Sequence, residues 1–591
     1  MKSFFKYMFA SMLGFIIVLV VLFFIFVGIM ASLISFAEKN TASVEPNTIL
    51  HITMNKEVYD RAPKNPMNFF SPTGFEMTQY PGLDVFLENI RKAKEDDNIK
   101  GIYLDLSMVP TGLTIVREIR QALLDFKTSG KFIIAYGEVY SQVAYYLATA
   151  ADQVYLNPSG AIDFRGFAAE LFFLKGTMDK LDVDVQVIRH GKYKSAIEIF
   201  VEDKMSDPNR EQMSAMIDGM WQTFVNDIAA SRNIDNARLN AMADNLDSFD
   251  PDKALALHLV DGLLYKDELL ALMKEKLGIG QDEKIKKISI AEYTYVPDKA
   301  KDKVSRDRIA VVYAIGSIVD GKGDDLTVGS VNISEAMRQA RENDKVKAIV
   351  LRVNSPGGSA LASEVIRREV QLAAAEKPVI VSMGDVAASG GYWISASATK
   401  ILADPTTLTG SIGVFGLFPN MKDFFGNKLG ITFDKAITNK YSDFPNVNRP
   451  LTEYETMVIQ RQIESIYSDF LDLVAEGRKM DKSMVDSIGQ GRVWSGADAI
   501  KIGLIDQFGG LQDAINVAAE TAGITDYYLW SLPAQKDPFE QILEDLTGSG
   551  NSAKARIREE LGSFYTYYEY LKMIDESRGI QARLPYEISI Q

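Results

Sequence analysis

Arg338-Gln-Ala-Arg-Glu-Asn-Asp-Lys-Val-Lys-Ala-Ile-Val-Leu351 closes a polar helical stretch and enters an apolar strand. Residues 91–104 do the same in nearly the same order: Arg91-Lys-Ala-Lys-Glu-Asp-Asp-Asn-Ile-Lys-Gly-Ile-Tyr-Leu104. The two stretches are 247 residues apart, and the same offset carries Ile119-Arg120 onto Ile366-Arg367. It also carries Gly137-Glu138-Val139 onto Gly384-Asp385-Val386, Asn157-Pro158 onto Asp404-Pro405, and Gly166 onto Gly413. A constant offset over so many residues marks an internal duplication. Within the second copy, Val346 to Val353 reads as a strand and Ala360 to Glu376 as a helix. Pro378 to Met383 reads as a strand, and Gly391 to Ala398 begins another helix. Strands alternating with helices of this length predict a largely parallel sheet with helices packed on it, once per copy.

The rest of the chain sorts around this duplication. Its 591 residues are 47% hydrophobic and 24% charged, the proportions of a globular protein, not of a polytopic membrane protein or a disordered chain. Net charge is −15 with a pI near 5.0, so the basic footprint of a nucleic-acid binder is missing. There is no cysteine, which excludes disulfides, thiolate metal sites and a cysteine nucleophile. Only His51, His190 and His258 are present, too few for a histidine-built metal site, and no metal or other cofactor is expected. Residues 7–37 contain no charge and are rich in Ile, Val, Leu and Phe. About 20 such residues span a bilayer, and a cleaved signal peptide has a shorter apolar region. Lys2 and Lys6 precede the run, which predicts a short cytoplasmic N-terminus with the remainder of the chain outside the membrane. The expected organisation is an anchor in residues 1–40, a first repeat in 47–297, a second in 308–533, and a polar helical tail in 534–591. The Lys- and Asp-rich stretch Asp298 to Asp307 links the copies. The tail carries Phe564, Tyr565, Tyr567, Tyr568 and Tyr570, a stripe suited to packing or to contact between subunits.

Chemistry concentrates in the second copy. Asn354-Ser-Pro-Gly-Gly-Ser359 follows the first strand, where paired glycines can turn the backbone so that N–H groups face an oxyanion. The equivalent stretch of the first copy, Ser107-Met-Val-Pro-Thr-Gly112, lacks the pair. The next strand leads into Ala388-Ser389-Gly-Gly-Tyr-Trp393. Ser389 stands at the head of a helix, where a serine serves either as an N-cap or as a nucleophile with small neighbours. In a parallel sheet the two glycine loops share one edge and can converge. At the offset of Ser389 the first copy has Gln142. Three histidines make a Ser-His-Asp triad improbable without excluding it, and a lysine whose pKa is lowered by burial or by a like charge can activate a serine instead. Lys192 and Lys194, in Gly191-Lys-Tyr-Lys-Ser195, are suggestive of such a like-charged pair, although the default reading of the residues alone is an ordinary exposed pair.

Asn354–Ser359, Ala387–Trp393, Leu408–Val414 and Gly191–Ala196 together resemble the signal peptide peptidase A (protease IV) family, in its long, tandem, membrane-anchored form. The likeness covers nearly the whole chain. It implies an α/β fold of two Clp-protease/crotonase-like units and a serine peptidase with a Ser/Lys dyad. By position, Ser389 is implied as the nucleophile, Lys194 as the base, Gly357 and Gly358 as the oxyanion hole and Ser411 as the residue that orients the amine. The implied substrates are cleaved signal peptides and other short apolar peptides, and the implied assembly is a homo-oligomer at the inner membrane facing the periplasm. Two other readings share parts of the pattern: an acyl-CoA hydratase or isomerase of the crotonase type, and a non-catalytic membrane scaffold of degenerate repeats. Adding 247 to 194 reaches Tyr441, beside Lys440 and Ser442, so the second copy is expected to lack a matching base. Each half would then hold half of one site.

Overall fold

The computed structural model describes residues 43–63, 80–298, 305–535 and 579–584, with short pieces at 6–8, 10–21, 23–24, 70–71 and 74–75. Each copy is built on a sheet covered by helices. In the first, six strands run in the order Gly262–Leu263, Gln153–Leu156, Phe132–Gly137, Ile99–Asp105, Thr48–Ile52 and Lys287–Ser289, all parallel. The second has the corresponding core order of Lys400–Ala403, Val379–Ala388, Val346–Ser355, Arg308–Ile315 and Tyr528–Leu532, again parallel. Buried Val, Ile, Leu and Ala fill these central strands on both faces, as a doubly covered parallel sheet requires.

The repeat holds element by element. Leu83–Glu95 and Ser330–Glu342 are helices of equal length at the 247 offset. Leu113–Lys127 corresponds to Ala360–Glu376, and the long helix Asp207–Arg232 to Glu453–Arg478. Two second-copy strands outrun their expected ends. Val346–Ser355 continues past Val353, and Val379–Ala388 past Met383, because Asn354 bridges them: its Oδ1 accepts from the Val386 N–H at 3.1 Å.

A third sheet joins the copies. First-copy strand Asp184–His190 pairs antiparallel with second-copy strand Val414–Asn420, in the register Val414 with His190 through Asn420 with Asp184. Beneath it the copies share buried ion pairs. Arg352 is fully buried, with its guanidinium 2.6 Å from both Asp60 and Glu118 of the first copy. Arg117 meets Asp404 at 2.8 Å, and the Thr114 N–H donates to Asp385 at 2.8 Å.

Four expectations need amendment or fall on residues that are not described. The described part of the tail is a strand, Gly579–Arg583, not a helix; it finds two open strand edges, at Gly357–Ser359 and at Phe415–Gly416. The aromatic stripe from Phe564 to Tyr570 and most of the linker lie outside the described residues. Among the described residues no helix is long and apolar enough to cross a membrane; residues 10–21 of the apolar run are helical, and 25–37 are not described.

Candidate active site

Ser389 sits where Val379–Ala388 ends and Gly390–Ser395 begins. Its backbone is at φ 55°, ψ −113°, a region a non-glycine residue enters only when the surroundings hold it there. The hold is a bond from the Ser389 N–H to the Gly410 carbonyl at 2.8 Å and the start of the helix at Trp393. Its hydroxyl makes no capping bond, so the N-cap alternative is not realised. The turn aims Oγ instead at a lysine of the other copy: Lys194 Nζ lies 2.9 Å from Ser389 Oγ.

Lys194 reaches this point from the loop after the inter-copy strand, and it is 0% exposed. Its amine also lies 3.0 Å from Ser411 Oγ and 3.3 Å from the Ser411 carbonyl. Ser411 is itself held at positive φ, 51°, with its N–H on the Arg492 carbonyl at 2.7 Å. Burial pushes the Lys194 amine well below the ordinary lysine range, with no carboxylate nearby to restore the charge. Repulsion by Lys192 is not the cause: that residue is exposed, its ammonium 4.9 Å from the Tyr193 ring centre. Lys440 is exposed as well.

The glycine pair lies against the serine turn. Gly357 and Gly358 have φ of 94° and 157°, conformations that suit glycine. A Cβ on Gly357 would stand 2.6 Å from the Gly390 nitrogen, and one on Gly358 would stand 2.0 Å from the Ile318 carbonyl oxygen. Both loops therefore come to one edge of the sheet. The tail strand crosses that edge, pairing Gly357 with Arg583 and Gly358 with Ala582, and the Leu584 N–H donates to the Pro356 carbonyl at 2.5 Å. The Ala582 carbonyl oxygen stands in the gap between the Gly357 and Gly390 backbones.

Two residues that frame the lysine escaped the sequence reading. A Cβ on Gly491 would lie 2.7 Å from Lys194 Cβ, so this glycine (φ 80°) makes room for the stem. Gly489-Gln490-Gly491 was a visible turn signal, but nothing tied it to a lysine about 300 residues earlier. Gln212 is buried and clamps the lysine loop. Its Nε2 donates to the Tyr193 carbonyl (3.2 Å) and Ser195 Oγ (2.7 Å), and its Oε1 accepts from the Val493 N–H of the second copy (3.2 Å).

The first copy shows what the same place looks like without the serine. Gln142 is buried, its Oε1 accepting from the Arg165 and Gly166 N–H groups at 2.9 and 3.0 Å and its Nε2 donating to the Gly166 carbonyl at 3.2 Å. The amide fills its own cavity and leaves no hydroxyl to activate.

Comparison with known proteins agrees with this picture of a duplicated hydrolase. Residues 125–280 and 371–525 each match the sequence model described as Peptidase family S49, at nearly the spacing of the internal repeat. The chain belongs to this family and is a serine protease. It is 40% identical to "Protease 4" of Salmonella typhi over 469 residues, covering 78% of this chain and 75% of that one. It is 32% identical to "Serine protease SPPA, chloroplastic" of Arabidopsis thaliana, covering 92% and 78%. Among solved structures, a ClpP1 point mutant from Listeria monocytogenes aligns over 35% of this chain and 94% of its own, with 15% identity and a TM-score of 0.24. Membership of a protease family sets aside both the scaffold and the acyl-CoA readings.

Proposed function

We propose that the chain is a Ser/Lys-dyad endopeptidase of Clp-protease/crotonase-like architecture, in which Ser389 is the nucleophile and Lys194 the general base. The observation that carries the reading is the 2.9 Å approach of a fully buried amine to Ser389 Oγ. A neutral amine has two N–H donors and one lone pair. Ser411 offers two acceptors, its hydroxyl and its carbonyl, which leaves the lone pair for the Ser389 hydroxyl proton. Lys194 takes that proton as Oγ attacks the peptide carbonyl. The oxyanion is met by backbone N–H groups at Gly357 and Gly358, and the amine returns the proton to the leaving nitrogen. Water then hydrolyses the acyl-enzyme by the same route in reverse.

In this reading the substrate adds a strand to the edges at Gly357–Ser359 and Phe415–Gly416, the slot that the tail strand fills here. Residues 7–37 anchor the chain in the bilayer, with the catalytic part on the periplasmic side. The substrates are cleaved signal peptides and other short apolar peptides, and the chain works as a homo-oligomer. Labelling with a fluorophosphonate or a peptide aldehyde tests the dyad. Adduct on Ser389, lost in Ser389→Ala and in Lys194→Met, is the expected result; an adduct on another serine overturns it.

A further inference from the structure

The strand that delivers Ser389 is irregular just before it does so. Val346–Ser355 pairs with Val379–Ala388 residue by residue as far as Val353 with Met383, and resumes at Ser355 with Ala387. Asn354 alone therefore faces three residues, Gly384, Asp385 and Val386, a bulge that sets the second strand back by two. At about 3.3 Å per residue, an unbroken ladder would carry Ser389 roughly 6–7 Å further past the glycine pair. A slip of two keeps every side chain on its own face, so the bulge moves the nucleophile along the sheet without turning it over.

Asn354 closes the bulge with its side chain. Its Oδ1 accepts from the Val386 N–H at 3.1 Å, and its Nδ2 donates to Asp60 of the first copy at 2.6 Å. A Cβ on Gly384 would stand 2.8 Å from Asn354 Cγ, so this glycine leaves the room in which the amide crosses. Asp60 is buried, and its other oxygen accepts from Arg352 Nε at 2.6 Å. The two ends of an amide differ, one an acceptor and the other a donor. A carboxylate on the donor end fixes the orientation in which the acceptor end meets the Val386 N–H. A second first-copy group holds the bulge from outside. The Thr114 N–H bonds Asp385 at 2.8 Å, and a Cβ on Gly112 would fall 2.2 Å from that carboxylate. The matching stretch of the first copy, Gly137-Glu138-Val139, has Ser107 at the place of Asn354, and there Ser107, Glu138 and Val139 are all exposed.

We infer that Asp60 is a positioning residue for the reaction: through Asn354 it fixes the register in which Ser389 meets Gly357 and Gly358. The first copy then serves the chemistry twice, with Lys194 in the proton transfer and with Asp60 in the placement of the nucleophile against the oxyanion hole. This rests on the reading of Ser389 as nucleophile and of the glycine pair as oxyanion hole. The hydrogen-bond logic defines the test. An amide at position 60 must turn its oxygen to Arg352, which sets its NH2 group against that of Asn354. Two donors then face each other, Asn354 turns away, and the bulge loses its tie. Exchanging the two side chains removes the conflict. The amide at position 60 then donates to a carboxylate at position 354, whose second oxygen still accepts from the Val386 N–H, and the charge of the cluster is unchanged.

Full-length wild type, Asp60→Asn, Asn354→Asp and the double variant are compared on a fluorogenic apolar peptide, with active sites counted by exhaustive fluorophosphonate labelling. Each single variant should lose on the order of 10²-fold in kcat per labelled site, the scale of a displaced oxyanion donor. KM and the pH midpoint of the base should stay near wild type, because Lys194 and the strand edges are untouched. The double variant should regain most of the loss, as directly coupled neighbours do. Asn354→Ser installs the first-copy residue and leaves Asp60 on Arg352, so it tests the link even if Asp60→Asn fails to fold; it should show the same loss in kcat. Wild-type kcat per labelled site in Asn354→Ser, or single variants that lose only Tm and labelled sites, would overturn the inference. A double variant no better than the poorer single would overturn it as well. In each of these cases an adduct on Ser389 leaves the dyad standing. Wild-type protein without an adduct on Ser389 would overturn the dyad and this inference together.

Discussion

A lysine buried without a carboxylate partner is costly to keep charged, and Lys194 is placed so that the neutral form is the one that folds. Hydrolysis should rise with pH through the ionisation of this amine and level off below the ordinary lysine range, because the folded pKa is lowered. A rate that climbs only above the normal lysine pKa would contradict a buried base. Stability carries the same sign. Between the folded and unfolded pKa values the unfolded chain binds the extra proton, so stability increases with pH across that window and the cost is greatest below it. Lys194→Met keeps the stem and removes the amine. It should abolish acylation of Ser389, with a loss of at least ~10²-fold in kcat/KM, and raise thermal stability at neutral pH, by on the order of 1–2 kcal/mol. The gain should shrink toward pH 10 as the wild type ceases to protonate its unfolded lysine. Lys192→Met and Lys440→Met, both at exposed positions, should retain most activity and leave Tm unchanged.

At the scale of elements, the glycine pair and the tail strand compete for the same backbone. Gly357→Ala would force a Cβ to within 2.2 Å of the Ala582 oxygen and into φ 94°, so it should lower kcat far more than it changes Tm. Removing residues 579–591 opens the edge at Gly357–Ser359. If peptide adds there, the truncated enzyme should show a lower KM for apolar peptides; a higher KM with an intact fold would make the tail strand part of the substrate-binding wall. Much of this layout was legible beforehand. Helix Ala360–Glu376 has its expected bounds because apolar spacing and the flanking Ser359 and Pro378 define them locally. Ser389, Gly357 and Gly358 were visible because consecutive parallel strands deliver their loops to one edge. What was not legible depends on distant packing. Gln212 and Gly491 frame Lys194 only once the copies dock, and the tail's strand conformation comes from edges that local sequence does not encode.

Across the whole molecule, the distance between Lys194 and Ser389 is set by how the two copies dock, and the dock is held by groups that tolerate little loss. Arg352 is fully buried between Asp60 and Glu118, and removing one partner of such a cluster costs roughly 3–5 kcal/mol because charge is left behind unpaired. Arg352→Met should therefore depress Tm strongly, by an amount that differential scanning calorimetry resolves. The same dock decides which chains can cooperate. Lys194 and Ser389 meet here within one polypeptide, joined through the strand pair Asp184–His190 with Val414–Asn420. Two dead variants should then be unable to rescue each other. Ser389→Ala supplies an intact Lys194, and Lys194→Met supplies an intact Ser389. If each base serves only the serine of its own chain, co-expression of the two gives mixed assemblies that stay inactive toward peptide and fluorophosphonate alike. Recovery of labelling at Ser389 above the level of the Lys194→Met parent, in assemblies shown to contain both chains, would mean that bases cross between subunits. The inter-copy sheet would then be exchanged from chain to chain in solution.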